Sequence, residues 1–124
     1  MKTVVLKFGG TSVGTIEKIK KVAELVRNYK KKKYKVIVVS SAMSGVTNDL
    51  VKKSKEISEN FINAEYDVLV SSGEQVACSL IAGRLNHIGL KSRSWLAWQI
   101  PIFTEGDYKN SRINEIYKNK ILKY

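Results

Sequence analysis

The sequence is poor in several residue types that define common classes of protein. It contains one cysteine, one proline and one histidine among 124 residues, and its 11 acidic side chains are outnumbered by 22 basic ones. A single cysteine excludes an intramolecular disulfide framework and suits a reducing compartment. No apolar run approaches the roughly 20 residues that cross a bilayer, and no secretory leader is recognisable. We therefore expect a cytoplasmic protein without a membrane span.

Reactive side chains are equally scarce. Cys78 lies in an apolar stretch with Ala77 and Leu80, which predicts a small core residue. His87 falls near the end of a predicted helix, where a solvated side chain is expected. The Asp and Glu residues are too dispersed for a built-in metal site. Catalysis by a histidine, a cysteine or a metal held by the chain alone is therefore not indicated.

The net charge of +11 raises the question of a nucleic-acid partner. The only dense basic run, KKKKYK at 30–35, ends a predicted helix, where cations suit the negative end of the helix dipole. No recognisable nucleic-acid module accompanies this run. We therefore expect no specific nucleic-acid partner, only a weak and salt-sensitive attraction to polyanions, ATP included.

Hydrophobic patterning, in a chain that is 44% hydrophobic, predicts one folded domain of alternating strands and helices. Apolar and β-branched runs predict strands at 3–6, 34–41, 91–98, 99–104 and 112–117. Helical spacing predicts helices at 15–33, 47–58, 67–87 (interrupted near 71–73) and 119–124, with a loop at 60–65. This order predicts an α/β layered fold.

The most informative stretch is the first strand and the turn after it, VVLKFGGTSVG at 4–14. Glycine admits positive φ and close approach of a ligand, so Gly9 and Gly10 suit a turn of free N–H groups that cradles phosphate. Lys7 would add a charge, and a helix beginning near Thr15 would direct its positive end to the same place. The spacing is not that of a Walker A loop. The stretch predicts a phosphate-handling element, with a plain strand-to-helix turn as the alternative.

A second strand, turn and helix follow at 38–48, VVSSAMSGVTN. Ligands of open α/β sheets bind beyond the carboxyl ends of the strands. Two neighbouring parallel strands that end in glycine-bearing turns would therefore share one crevice. The local alternative is an ordinary helix start, with Thr47 as the capping residue.

Two further stretches stand out. SSGEQ at 71–75 places Glu74 at the expected interruption of the long helix, where a carboxylate can point into a crevice. The alternative is a first-turn Glu that satisfies the helix dipole. SWLAWQIPI at 94–102 carries Trp95 and Trp98, which alone are typical of core or interface packing.

KFGGTSV, SAMSGVTN and SGEQ occur in the order and wording found in aspartate kinases, and SWLAWQIPI is similar to a later strand and turn of that family. The resemblance runs from about residue 2 to at least Arg112. It implies an α/β, three-layer sandwich like that of the amino-acid kinases, with a mainly parallel sheet. Residues 1–124 would be the N-terminal part of the catalytic domain.

The resemblance also implies a reaction, in which ATP and Mg²⁺ phosphorylate the β-carboxylate of L-aspartate to 4-phospho-L-aspartate. This is the first step toward lysine, threonine and methionine. The implied ATP-binding residues are Lys7, Phe8, Gly9, Gly10 and Ser41, with Lys7 as the catalytic residue that stabilises the transferring phosphoryl group. The implied aspartate-binding residues are Gly45, Val46, Thr47, Asn48, Asp49 and Glu74, and Glu74 would receive the substrate ammonium group. No metal ligand is implied in this chain.

The sequence departs from the family in length. Aspartate kinases continue with the rest of the sheet, further nucleotide-binding segments and ACT regulatory domains, none of which is recognisable in these 124 residues. We therefore expect the chain to be inactive or incomplete alone, with a homo-oligomer or a complementing C-terminal chain as candidate partners. The alternatives are a non-catalytic remnant, an assembly or binding module of the same fold, and another acyl- or carbamate-phosphate-forming kinase.

Overall fold

The chain begins with a parallel pair of strands. A computed structural model of residues 1–124 pairs β1 (Thr3–Phe8) with β2 (Lys35–Ser40), with Thr3 opposite Lys35 and Phe8 opposite Ser40. Their Val- and Ile-rich sequence is typical of buried parallel strands, and the predicted pairing is confirmed. The first strand is two residues longer than predicted, so Lys7 belongs to the strand and not to the turn.

Three helices of more than two turns follow from the predicted patterns. α1 spans Ile16–Lys31, α2 spans Val46–Ile57 and α3 spans Asn63–His87. The predicted interruption of the third helix near 71–73 is wrong, because the Ser71 and Ser72 hydroxyls donate to carbonyls of their own helix and leave its backbone bonding intact. The helix also begins inside the predicted loop at 60–65, which shortens that loop.

The last third of the chain departs furthest from prediction. The predicted strand at 91–98 is wrong. The Asn86 side chain accepts from the Ser92 N–H and donates to the Ser92 carbonyl, both at 3.0 Å, in place of a partner strand. A short 3₁₀ turn spans Ala97–Gln99. β3 (Ile102–Glu105) and β4 (Arg112–Ile116) form a separate antiparallel hairpin. The strand predicted at 112–117 is confirmed, and the strand predicted at 99–104 begins three residues later than expected. A short helix, α4 (Asn119–Leu122), ends the chain.

The core lies between α1, α3 and one face of the parallel strands. Its buried members are Val13, Ile19, Val22, Ala23, Val26, Ile81 and Leu85, against which Leu6, Phe8, Val36 and Val38 pack from the sheet. Only 12 of 124 residues are buried, so much apolar surface stays exposed elsewhere. No helix is long and apolar enough to cross a membrane.

The two reactive side chains lie on α3. His87 is exposed at the end of the helix, as predicted. Cys78 is only half-buried, which corrects the prediction of a core residue, since its neighbours Ala77 and Ile81 face the core instead. Its burial still raises the pKa of the thiol.

Candidate active site

The loops that follow the two parallel strands meet at the carboxyl ends of those strands. We define the first loop as residues 9–15 and the second loop as residues 41–45. The Ser41 N–H donates to the Phe8 carbonyl oxygen at 3.1 Å, which joins the second loop to the end of β1. The two loops therefore adjoin at the ends of the strands, where a shared crevice is predicted.

Glycine in the first loop serves close packing. A Cβ at Gly10 would lie 3.0 Å from the Ala42 carbonyl oxygen, and a Cβ at Gly14 would lie 3.1 Å from the Ser44 Cβ. Gly9 faces open space, so its backbone is free for a ligand to approach. Neither Gly9 nor Gly10 has a positive φ, which corrects that part of the expectation.

The first loop is held in one shape by three contacts. Its Ser12 N–H donates to the Gly9 carbonyl at 3.0 Å, and the fully buried Val13 anchors it in the core. Lys18, in the first turn of α1, donates its Nζ to the Thr11 carbonyl at 2.8 Å. The Lys18 backbone N–H in turn donates to the Oγ1 of Thr15, which caps the helix. The helix start is thus tied to the loop it follows.

A cleft of about 330 Å³ opens beside this loop on the side of α1. It is lined by Phe8, Thr11, Ser12, Lys18, Lys21, Val22 and Leu25. Two lysines and two hydroxyls give its wall a positive and hydrogen-bonding character, which suits an anion. Of the predicted ATP-binding residues, only Phe8 lines this cleft.

The second loop ends at Gly45, where the backbone is left-handed (φ 83°) and α2 begins. No side chain caps this helix, so the alternative of Thr47 as capping residue is wrong. Thr47 and Asn48 lie exposed in its first turn, whose free N–H groups favour an anion. Asp49 is engaged elsewhere, because its carboxylate accepts from Lys53 Nζ at 2.7 Å and thereby raises the lysine pKa.

Glu74 connects the third predicted stretch to the second loop. Its Oε1 accepts a hydrogen bond from the Ala42 N–H at 3.3 Å. Next to it, a Cβ at Gly73 would lie 3.0 Å from the Ala42 Cβ and 3.1 Å from Val46 Cγ1, so α3 passes close to the loop. Glu74 lies in the middle of an unbroken helix, which corrects both the predicted helix break and the first-turn alternative.

Ala42 is therefore the residue on which all three stretches converge, although sequence reasoning did not single it out. It is 4% exposed and contacts the positions of Gly10, Gly73 and Glu74. The only sequence feature that could have identified Ala42 was its position inside the second stretch, between Ser41 and Met43. Sequence reasoning also missed Lys18. The only sequence feature that could have identified it was its position three residues after Thr15, the residue that caps α1.

Lys7 lies apart from this convergence. Its side chain is exposed and projects from the strand on the side opposite Leu6 and Phe8, because side chains alternate along a strand. Its strand partner is Val39, which is 47% exposed. The face of the sheet that carries Lys7 and Val39 is therefore exposed.

Parallel strands followed by two adjoining glycine-bearing loops, each at a helix start, are typical of α/β proteins, whose ligands bind beyond the carboxyl ends of the strands. The sequence model of the Amino acid kinase family matches residues 2–124. The chain belongs to that family.

Similar proteins carry a more specific name. Over the whole chain it is 45% identical to an aspartokinase of Rickettsia felis, of which it covers 32%. It is 45% identical to an aspartokinase of Bacillus sp. over 99% of the chain and 30% of that protein. The crystal structure of an aspartate kinase from Synechocystis matches 69% of the chain and 15% of its own, with TM-score 0.68 and 42% identity. The chain thus spans about a third of the length of the curated relatives it matches.

Proposed function

We propose that residues 1–124 are the N-terminal part of an aspartate kinase catalytic domain and supply one half of its active site. The observation that carries this proposal is the convergence on the second loop, through the 3.1 Å bond to Phe8 and the 3.3 Å bond to Glu74. Relatives at 43–45% identity are named aspartokinase or aspartate kinase, which supports aspartate as the proposed substrate.

On the nucleotide side, the first loop and Lys7 would bind the ATP phosphates. The N–H groups near Gly9 and Gly10 would donate to phosphate oxygens, with Phe8 and Ser41 fixing the two loops beside them. Lys7 would neutralise charge that spreads over the transferring phosphoryl oxygens. Because a phosphoryl group needs positioning and charge stabilisation more than covalent catalysis, the absence of a suitable His or Cys is no obstacle.

On the acceptor side, the start of α2 and Glu74 would hold L-aspartate. The proposed contacts come from Gly45, Val46, Thr47, Asn48 and Asp49, although the bond to Lys53 occupies Asp49 in this structure. The substrate ammonium would be received by Glu74, whose second oxygen is not used by Ala42. The ionised β-carboxylate oxygen attacks the γ-phosphorus, a new P–O bond forms, the bond to the bridging oxygen breaks and ADP leaves. No protein base is required.

Mg²⁺ would accompany ATP, since it is commonly held by phosphate oxygens with only one or two carboxylates. The chain has no group of three or more His, Cys, Asp or Glu side chains that could hold a metal ion. No step is assigned to the ion. We place the activity in the cytoplasm, in the route to lysine, threonine and methionine.

A chimeric enzyme tests the proposal. The chain would replace the matching segment of the Rickettsia felis aspartokinase, and hydroxylamine would trap any aspartyl phosphate formed from ATP, Mg²⁺ and L-aspartate. We expect the chimera to form the hydroxamate, and Lys7→Ala or Glu74→Ala to lower the rate by about 100-fold or more. We expect the 124-residue chain alone to form none. A folded chimera without activity would refute the proposed function.

A further inference from the structure

The end of α1 and the starts of the two parallel strands form a strongly basic end of the molecule. The Lys35 N–H donates to the Lys2 carbonyl at 2.9 Å, which brings the two strand starts together. No Asp or Glu occurs in residues 1–16 or 25–48. The lysines of this end are all exposed, and none has a carboxylate oxygen within 4.0 Å. We call them the basic end, which consists of Lys2, Lys30, Lys31, Lys32, Lys33 and Lys35.

The dipole of α1 explains only part of this charge. Lys30 and Lys31 lie in the last turn of the helix, where cations are favoured, and Lys32 is its C-cap. Lys33 lies beyond the helix, and Lys2 and Lys35 lie at the starts of the strands. The dipole therefore accounts for at most half of the basic end.

Lys33 has a left-handed backbone, with φ 62°. Its N–H donates to the Lys30 carbonyl at 2.9 Å, and the N–H of Tyr34 donates to the Tyr29 carbonyl at 3.2 Å. This is the Schellman arrangement of helix ends, in which glycine is favoured because a Cβ crowds the left-handed backbone. α3 ends in the same arrangement, and there Gly89 occupies the position, with φ 82°. The chain therefore places a positive charge at the end of α1 where the backbone favours glycine.

We propose that the basic end binds the phosphate backbone of a nucleic-acid duplex, independently of base sequence. Lysine is a point charge that suits phosphate, and charge alone supplies binding of this kind. Binding of single strands relies in addition on aromatic rings that stack on bases. Tyr29 and Tyr34 are half-buried, and their rings contact each other edge to face with centroids 5.8 Å apart. The basic end therefore offers charge without a stacking platform.

The composition of the basic end also favours a duplex over a membrane surface. Stable attachment to a membrane combines charge with apolar groups that enter the bilayer. Within residues 1–3 and 30–35, the only exposed large apolar side chain is Met1. Phosphates of a duplex need no such anchor.

The basic end lies away from the candidate active site. The loops of that site follow Phe8 and Ser40, whereas Lys2 and Lys35 lie at the opposite ends of the same strands. Strands of six residues are about 20 Å long. A bound duplex would therefore leave the site accessible, and the proposal does not depend on the proposed function.

Fluorescence anisotropy of the chain with a labelled DNA duplex of mixed sequence tests the proposal. For contacts with about four phosphates, a plot of log association constant against log salt concentration should have a slope of about −4. Replacing both Lys32→Gln and Lys33→Gln should bring the slope about 2 closer to zero and weaken binding about tenfold in about 100 mM salt. The matched control, Lys52→Gln with Lys55→Gln, removes the same charge from exposed positions of α2 and should change both little. An RNA duplex should give the same pattern.

Lys33→Gly separates charge from stability. Glycine relieves the left-handed position, so we expect the Tm from circular dichroism to rise by about 3 °C. Loss of one charge should at the same time weaken duplex binding about threefold. A lysine with a structural role alone would change the Tm and leave duplex binding unchanged.

Three results would overturn the proposal: no binding of the duplex, a salt slope that the variants of the basic end do not change, or equal weakening by the control on α2. Unchanged duplex binding by Lys33→Gly would remove Lys33 from the surface and contradict its assigned role. Tighter binding to a single strand of the same length would overturn the proposal in favour of base stacking. Tighter binding to phosphatidylserine vesicles at the same phosphate concentration would overturn it in favour of a membrane.

Discussion

Glu74 accepts a hydrogen bond from the backbone N–H of Ala42 across 32 positions of sequence. This bond joins the middle of α3 to the loop after β2, and it leaves the second carboxylate oxygen available for a ligand. A single side chain therefore has a structural role and a proposed binding role. Substitutions that preserve shape but remove charge can separate the two.

Glu74→Gln should separate these roles. The amide oxygen can still accept from Ala42, so we expect the free energy of unfolding to stay near that of the parent chain. Glu74→Ala should lose about 1–2 kcal/mol, because the half-buried N–H loses its partner. In the chimera both variants should raise the KM for aspartate. Urea unfolding and hydroxamate kinetics measure the two effects, and a Glu74→Gln chimera with normal aspartate KM would refute the binding role.

Gly10→Ala and Gly9→Ala should differ, although the two glycines are adjacent. The new Cβ at Gly10 would lie 3.0 Å from a backbone oxygen of the second loop, so we expect a loss of stability of about 1–3 kcal/mol. The Cβ at Gly9 meets nothing within 4 Å, so stability should be retained. If Gly9 lies against phosphate, Gly9→Ala in the chimera should nevertheless raise the KM for ATP. Equal stability of the two variants would contradict the packing described for the loops.

Lys18→Met should weaken nucleotide binding through the first loop. The lysine holds the Thr11 carbonyl at 2.8 Å, and its loss would free the loop to adopt other shapes. We expect the KM of the chimera for ATP to rise by about tenfold, with partial rescue by Lys18→Arg, which restores a donor. Lys30→Met removes the same charge at the far end of the helix and should change the KM little. Equal effects of the two substitutions would indicate a general charge effect instead.

The Cys78 thiol should titrate at higher pH than an ordinary cysteine. Burial disfavours the thiolate and raises its pKa, so the reactive form becomes populated only at higher pH. Alkylation by iodoacetamide in the native chain should therefore be slower near pH 8 than in the urea-unfolded chain, and the rate profile should shift to alkaline pH. Identical profiles in the native and unfolded chains would show that this environment is absent in solution.

Local sequence patterns predicted the first half of the fold well because the elements there are determined by burial. Continuous Val and Ile fixed the parallel strands, and the stripe from Ile19 to Val26 fixed α1. The patterns failed at Ser71 and Ser72, where hydroxyls bond within the helix that they were expected to interrupt. They failed again at 91–98, where side-chain bonds from Asn86 replace a partner strand. Such choices depend on tertiary neighbours, which a local pattern does not contain.

In the candidate site, too, local patterns predicted some features, whereas others depend on tertiary neighbours. The three stretches were identified from residue type and spacing, but their meeting at Ala42 depends on how α3 crosses the second loop. An alanine in a loop carries no chemical signal, and its importance arises from being small and buried at 4% exposure. The exposed position of Lys7 was equally hidden, because it depends on which face of the sheet the helices cover.

Two glycines of one helix provide the most direct test of that crossing. A Cβ at Gly73 would lie 3.0 Å from the Ala42 Cβ and 3.1 Å from Val46, whereas a Cβ at Gly83 meets nothing within 4 Å. Gly83→Ala should therefore stabilise the chain by about 0.5–1 kcal/mol, since alanine favours the helix. Gly73→Ala brings the same helical gain but should destabilise by about 1–3 kcal/mol, because α3 must move away from the loop. Thermal and urea unfolding measure both. Stabilisation by both substitutions would mean that α3 does not pack on the second loop, and Glu74 would then be too far away to take part in the proposed site.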